Sequence, residues 1–125
     1  MLVRTSVLLF SLLFATSAFA FGKNFTQANF DQARDANKSI LVMVHADWCP
    51  TCRAQEAVIK KLSVQPEFAN FEILRIDYDT QPGFVRAFRV PRQSALLVYK
   101  GHKGIARSLG ETNEDMIAAM LRKGL

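Results

Sequence analysis

Cysteine is scarce in this sequence: Cys49 and Cys52 are the only two in 125 residues. A single pair excludes the dense disulfide frameworks that hold many small secreted domains together. A structural zinc ion needs four ligands, and the chain could complete such a set only with its two histidines, His45 and His102. Composition alone therefore does not assign a role to the two cysteines, and their position in the fold has to be considered.

Runs of like charge, internal repeats and Pro- or Gly-rich linkers are also absent. The 16 basic and 11 acidic side chains are scattered singly along the chain. This pattern favours a solvated surface over a nucleic-acid interface. Once the N-terminal segment is set apart, the remaining length suffices for one domain with one core.

The first twenty residues read as a secretory signal peptide. Arg4 gives a short positive start, residues 6–14 are apolar, and Ala18-Phe19-Ala20 forms a cleavage site before Phe21. An uncleaved membrane anchor is the alternative, but a span needs about 20 apolar residues and this run is shorter. We expect residues 1–20 to be removed, leaving a domain over 21–125 in the periplasm or outside the cell, where disulfides persist.

Helical and strand patterns alternate along the first part of this domain. A helix is predicted from a Thr26 cap to Ala36, with Asn37 in a left-handed stop and Phe25 stapled to Phe30. A continuous apolar run over 39–46 predicts a central strand buried on both faces. A helix over 53–63, a strand over 71–78 and a short helix over 84–88 follow, with Ala54, Ala57, Val58 and Leu62 expected on the buried side of the first of these.

The last part of the domain has a different pattern. Strands over 95–100 and 105–109, separated by a Gly-rich turn, predict a β-hairpin. A closing helix is predicted to start at a Thr112 cap, with Met116, Ile117, Met120 and Leu121 buried. The whole pattern indicates an α/β fold.

The two cysteines stand at a strand-to-helix junction. Cys49 falls at the helix entrance, where free amides and the positive end of the helix dipole favour a thiolate. Cys52 is one turn further on and more enclosed, within reach to resolve a mixed disulfide. Pro50 suits the first helical turn, because its missing N–H would have no partner there. This arrangement predicts a redox centre.

Two structural roles for the pair remain as alternatives. A disulfide that closes so short a loop would stabilise the fold by only about 2 kcal/mol through loop entropy. A metal site would have to recruit both histidines. A structural disulfide is expected to join distant segments of the chain instead.

The domain resembles the thioredoxin family over nearly its whole length. The apolar strand followed by Ala46-Asp47-Trp48-Cys49-Pro50-Thr51-Cys52, and Leu96-Leu97-Val98-Tyr99-Lys100-Gly101 before the hairpin, carry the likeness. The resemblance implies a mixed sheet of about four strands flanked by helices, with a closing hairpin and C-terminal helix. It also implies Cys49 as nucleophile, Cys52 as resolving thiol, and a Cys49–Cys52 disulfide. Trp48 would flank the site, core packing being the alternative for it.

The sequence departs from the family at three places. Met43 stands where the family buries an acidic residue, and Pro50-Thr51 reverses the usual dipeptide order. Ser94, preceded by Gln93, stands where the family has a cis-proline. We expect a trans peptide at Ser94, because a cis bond without proline costs about 2.5–4 kcal/mol, and a more open approach to the cysteines.

The two histidines are expected to differ. His45 lies four residues before Cys49, so it either tunes the thiolate or is a hydrogen-bonded core residue. His102 lies in the hairpin turn and is expected to be solvated.

Together these features predict a periplasmic or secreted thiol–disulfide oxidoreductase. Its expected partners are proteins with cysteines or disulfides and a redox protein that recycles the pair. We expect a monomer with no cofactor, metal or nucleic acid, and no membrane attachment after cleavage. The alternative is a thioredoxin-fold binding protein that is redox-inactive or handles copper or zinc.

Overall fold

A five-stranded sheet with helices on both faces forms the domain. The computed structural model describes residues 21–125, so the predicted signal peptide lies outside the described residues. The strands are β1 (Lys23–Asn24), β2 (Ser39–His45), β3 (Glu72–Asp77), β4 (Ala95–Lys100) and β5 (Lys103–Leu109). The helices are α1 (Gln27–Asp35), α2 (Pro50–Ser63), α3 (Pro82–Ala87) and α4 (Glu114–Arg122), with a 3₁₀ turn at Pro66–Phe68. Over residues 21–125, no helix is long and apolar enough to cross a membrane.

The sheet has the order β1-β3-β2-β4-β5, which places β2 at its centre. β2 is parallel to β3 and antiparallel to β4, and all seven of its residues are buried. The predicted thioredoxin-like fold is confirmed, with five strands where about four were expected. The additional strand, β1, pairs with β3 through two residues only, too few to produce a periodic pattern.

Alternate side chains of β2 enter two separate cores. Leu41 and Met43 pack with residues of α2 and α4 on one face. Val42 and Val44 pack with Phe25 and other aromatic rings on the opposite face. Because side chains alternate along a strand, His45 belongs to the same face as Met43.

The predicted ends of α1 are confirmed. The Thr26 hydroxyl accepts the Asn29 N–H at 3.0 Å, as a helix cap does. The rings of Phe25 and Phe30 lie 5.4 Å apart, which is the predicted staple. Asn37 has φ of +52°, the left-handed stop that the sequence indicated.

The buried face of α2 was predicted only in part: Leu62 is buried and Val58 packs against the same core, as expected. The helix starts at Pro50, and its buried residues are Cys52, Gln55, Ile59 and Leu62. Ala54 and Ala57 are exposed instead. The contact of Cys52 with β2 fixes the rotation of the helix, and small alanines tolerate exposure, so hydrophobicity alone misplaced Ala54 and Ala57.

The start of α4 was also predicted one residue early. Asn113, not Thr112, is the cap: its side-chain oxygen accepts the Met116 N–H at 3.0 Å. Met116 is 59% exposed and does not join the buried stripe, whereas Ala118 does. Ile117, Met120 and Leu121 are buried as predicted.

The identity of this cap can be tested by two neighbouring substitutions. Asn113→Ala should lower the free energy of unfolding by about 1 kcal/mol, because it leaves a helix amide without its acceptor. Thr112→Ala should change it by less than about 0.5 kcal/mol, as exposed positions generally do. Urea denaturation of both variants provides the measurement. An equal loss in both variants would contradict the assignment of Asn113.

Candidate active site

The two cysteines lie where β2 ends and α2 begins. They are bonded to each other in the structure, with their Cα atoms 5.3 Å apart. The Cys49 N–H donates to the Ala46 carbonyl at 3.1 Å, which closes the turn between strand and helix. The site therefore sits at the carboxyl end of the central strand, a common place for sites in α/β sheets.

Cys49 is the N-cap of α2. Its sulfur accepts the N–H of Cys52 at 3.1 Å, and Pro50 occupies the first helical position. The sulfur also lies at the positive end of the dipole of α2, which is 14 residues long. Both interactions would stabilise a negative charge on the Cys49 sulfur after reduction.

Cys52 has a different environment. Its sulfur lies 3.9 Å from the carbonyl oxygen of Val44 in β2. That oxygen is an acceptor, so it would favour the protonated thiol over the thiolate. Hydrogen-bond partners thus distinguish the two sulfurs.

Burial does not distinguish them, contrary to expectation. Both cysteines are 1% exposed, so Cys52 is not the more enclosed of the two. They pack with Ala46 and the half-buried ring of Tyr78. The open approach that the sequence predicted around Ser94 is therefore wrong.

Ser94 lies beside Cys52 because β4 runs antiparallel to β2. The residue just before β4 consequently reaches the carboxyl end of β2, where the Ser94 N–H donates to the Val44 carbonyl at 2.8 Å. Its peptide bond is trans, as expected, and its φ is +67°. Its own carbonyl accepts the Gly110 N–H at 2.9 Å and the Gln55 amide at 3.0 Å.

Trp48 extends from the site towards solvent. It is 56% exposed, which excludes core packing as its role. Its indole N–H donates to the Asp79 carboxylate at 2.8 Å. The loop carrying Asp79 is held by Asp77, whose carboxylate accepts the N–H groups of Asp79 and Thr80 at 2.9 Å each. Burial raises the pKa of Asp77, but the hydrogen bonds from Thr80 and Asp79 outweigh it and hold that pKa below its usual value.

His45 is buried on the same face of the sheet as α2. Its Nε2 lies 3.2 Å from a carboxylate oxygen of Asp47, and its Nδ1 lies 4.0 Å from one of Glu56. Nδ1 has no hydrogen-bond partner within the described structure. His102 is largely exposed beside Asp35 at 2.8 Å, as expected.

The remaining predicted site residues differ in their exposure. Pro50 is exposed, and Thr51 and Gln93 are half-buried. Within residues 21–125, no three His, Cys, Asp or Glu side chains lie close enough together to hold a metal ion.

Gln55 is a residue of this site that the sequence analysis missed. It is 1% exposed and donates to two backbone carbonyls, those of Ser94 and Glu111. A polar residue is not expected in a buried stripe. Its spacing could have predicted its burial, because Gln55 follows Cys52 by three residues and so lies on the same face of the helix.

In sequence, this chain is similar to known thioredoxins. The family model described as Thioredoxin matches residues 22–123. Thioredoxin H2 of Arabidopsis thaliana is 26% identical over 90 residues, covering 72% of this chain and 66% of that protein. Thioredoxin of Chlamydia trachomatis is 26% identical over 98 residues, covering 78% of this chain and 93% of that protein.

Solved structures show the same fold. Trxlp from Edwardsiella tarda superposes with a TM-score of 0.77 at 34% identity, covering 79% of this chain and 96% of that one. By sequence alone, the chain also resembles a bifunctional thioredoxin reductase/thioredoxin of Mycobacterium leprae, at 26% identity over 93 residues that cover 74% of this chain and 19% of that protein.

Fluorescence can test the contact between Trp48 and Asp79, because the chain has a single tryptophan. Asp79→Ala removes the acceptor of the indole N–H, so the emission should shift to longer wavelength and the anisotropy should fall. Asp47→Ala is the matched control, since it removes the same charge beside Trp48 and leaves the indole bond intact. Equal spectra for Asp79→Ala and the unmodified protein would contradict the contact.

Proposed function

Because this chain belongs to the thioredoxin family of thiol–disulfide oxidoreductases, we propose that it exchanges disulfides with exported proteins through Cys49 and Cys52. Cys49 is the attacking thiol and Cys52 the resolving one. The pair works without a bound cofactor and is recycled by a second redox protein.

The observation that carries this assignment is the difference between the two sulfurs. An amide N–H points at the Cys49 sulfur, whereas a carbonyl oxygen faces the Cys52 sulfur. A donor stabilises a thiolate and an acceptor stabilises a thiol. In the reduced pair these contacts therefore favour a nucleophilic thiolate at Cys49 over one at Cys52.

In the reducing direction, exchange proceeds in two balanced steps. The Cys49 thiolate attacks one sulfur of a substrate disulfide, which forms a mixed disulfide and releases a substrate thiolate. Cys52 then loses its proton and attacks the Cys49 sulfur, which closes the Cys49–Cys52 disulfide and releases the second substrate thiolate. Two electrons pass to the substrate, and the reverse sequence oxidises a substrate dithiol.

Other residues shape the approach of the substrate. Trp48, Pro50 and Thr51 adjoin Cys49 along the chain, and the residue that follows Gln93, Ser94, shares the Val44 carbonyl with the Cys52 sulfur. His45 lies beneath α2, near Glu56. Because both cysteines are 1% exposed in the disulfide form, a substrate must displace part of their cover, to which the Tyr78 ring contributes.

Two observations support an exported location for this activity. The N-terminal signal pattern directs the chain out of the cytoplasm. Periplasmic and extracellular spaces contain the protein disulfides on which such an enzyme acts. The recycling partner is then a redox protein of the same compartment or of its membrane.

Substitution of each cysteine should give a different result. Cys49→Ser should abolish the reduction of insulin disulfides, because it removes the nucleophile. Cys52→Ser should accumulate mixed disulfides through Cys49, visible as a mass increase that dithiothreitol reverses. Accumulation in Cys49→Ser, or equal and slow alkylation of both thiols below pH 8, would contradict the assigned roles.

Processing can be tested by the mass of the mature protein. Expression in a Gram-negative host should yield a periplasmic protein whose intact mass corresponds to a chain that begins at Phe21. Ala20→Pro, which should block cleavage after the small-residue motif, is the control. Full-length protein in the membrane fraction of the unmodified strain would replace free export by anchoring.

Equilibration with a glutathione buffer series assigns the physiological direction. A potential above about −200 mV corresponds to an oxidant, and one near −270 mV to a reductant. The same equilibrium gives the baseline against which variants of the site are compared.

A further inference from the structure

Gln55 lies on the face of α2 that packs on the sheet, and its side-chain amide is buried there. It is 1% exposed, and the other buried residues of this helix are Cys52, Ile59 and Leu62. Its Nε2 donates to the Ser94 carbonyl at 3.0 Å and to the Glu111 carbonyl at 2.9 Å. One side chain thus ties the redox helix to the segment before β4 and to the segment before α4.

The segment that Gln55 holds has an unfavourable backbone conformation. Ser94 has φ of +67°, a region that non-glycine residues rarely occupy. Conformations of this kind persist only where the surroundings impose them. Three hydrogen bonds hold Ser94 in this conformation. Gln55 and Gly110 donate to its carbonyl, and its own N–H donates to the Val44 carbonyl.

The Val44 carbonyl connects this segment to the chemistry. It accepts the Ser94 N–H at 2.8 Å, and the Cys52 sulfur lies 3.9 Å from the same oxygen. After reduction, the Cys52 thiol would lie within reach of the same acceptor as the Ser94 amide. The strength of the bond to Ser94 determines how much of that oxygen remains for the thiol.

We propose that Gln55 is a positioning residue for Cys52: by holding Ser94 on the Val44 carbonyl, it weakens the hydrogen bond that the reduced Cys52 thiol can make there. This inference rests on the proposed disulfide exchange at Cys49 and Cys52. Gln55 touches no reacting atom and acts through Ser94 and Val44 alone. Its effect is to destabilise the dithiol form relative to the disulfide form.

Gln55→Met tests the proposal, because methionine is similar in length and lacks both N–H donors. The measured quantity is the equilibrium constant for protein disulfide plus two glutathione thiols giving protein dithiol plus glutathione disulfide. Release of Ser94 frees the Val44 carbonyl for the Cys52 thiol, so the constant should rise at least threefold towards the dithiol. Thermal unfolding of both redox forms is measured alongside.

Ser39→Ala is the matched control. Ser39 is also buried, and its hydroxyl donates to a backbone carbonyl, that of Gly124, at 2.5 Å. It lies at the start of β2, the end of the strand away from the cysteines. This variant should lower the stability of both redox forms equally and leave the equilibrium constant within about 1.5-fold of the unmodified value, since a purely structural loss cancels between the two forms.

The proposal is overturned if the equilibrium constant of Gln55→Met stays within about 1.5-fold of the unmodified value, as expected for Ser39→Ala. A shift of that constant towards the disulfide also overturns it. If Gln55→Met does not fold, the same measurement on Gln55→Asn decides. That amide is one methylene shorter, which puts its nitrogen beyond hydrogen-bond distance of the Ser94 carbonyl, so a shift towards the dithiol supports the role and no shift overturns it. The equilibrium needs no protein substrate, so absence of insulin reduction by the unmodified protein would count against the proposed function alone.

Discussion

The pairing of β2 along both of its edges is the constraint on which the site depends. Its parallel partner β3 and its antiparallel partner β4 bring three distant segments to one end of the sheet. The cysteine turn follows β2, the loop of Asp79 follows β3, and Ser94 precedes β4. A shift of either register by one residue would reverse the faces of β2 and separate these segments.

Local signals in the sequence were sufficient for the elements that build this end of the sheet. The unbroken apolar run of β2 indicated a strand covered on both faces, and Thr26 and Asn37 marked the ends of α1. In each case one residue type has a single strong structural preference. β1 gave no such signal, because a two-residue strand depends entirely on its pairing with β3.

Tertiary contacts decided what the sequence could not. The rotation of α2 is set by the packing of Cys52 on β2, which buries Gln55 and exposes Ala54. Hydrophobicity ranks these two residues in the opposite order. The absence of proline at position 94 could be seen in the sequence, but the hydrogen bonds of Ser94 could not: its N–H donates to Val44 of β2, and its carbonyl accepts from Gln55 and Gly110.

The equal burial of the two sulfurs means that exposure cannot be the origin of their different chemistry. The difference lies in the polar group that faces each one, an amide N–H for Cys49 and a carbonyl oxygen for Cys52. The amide belongs to α2 itself and is fixed once the helix forms. The carbonyl is shared with Ser94 and therefore responds to whatever holds that residue. Substitutions around Ser94 can thus adjust the resolving thiol while the environment of the nucleophile stays constant, which separates the redox equilibrium of the pair from the reactivity of Cys49.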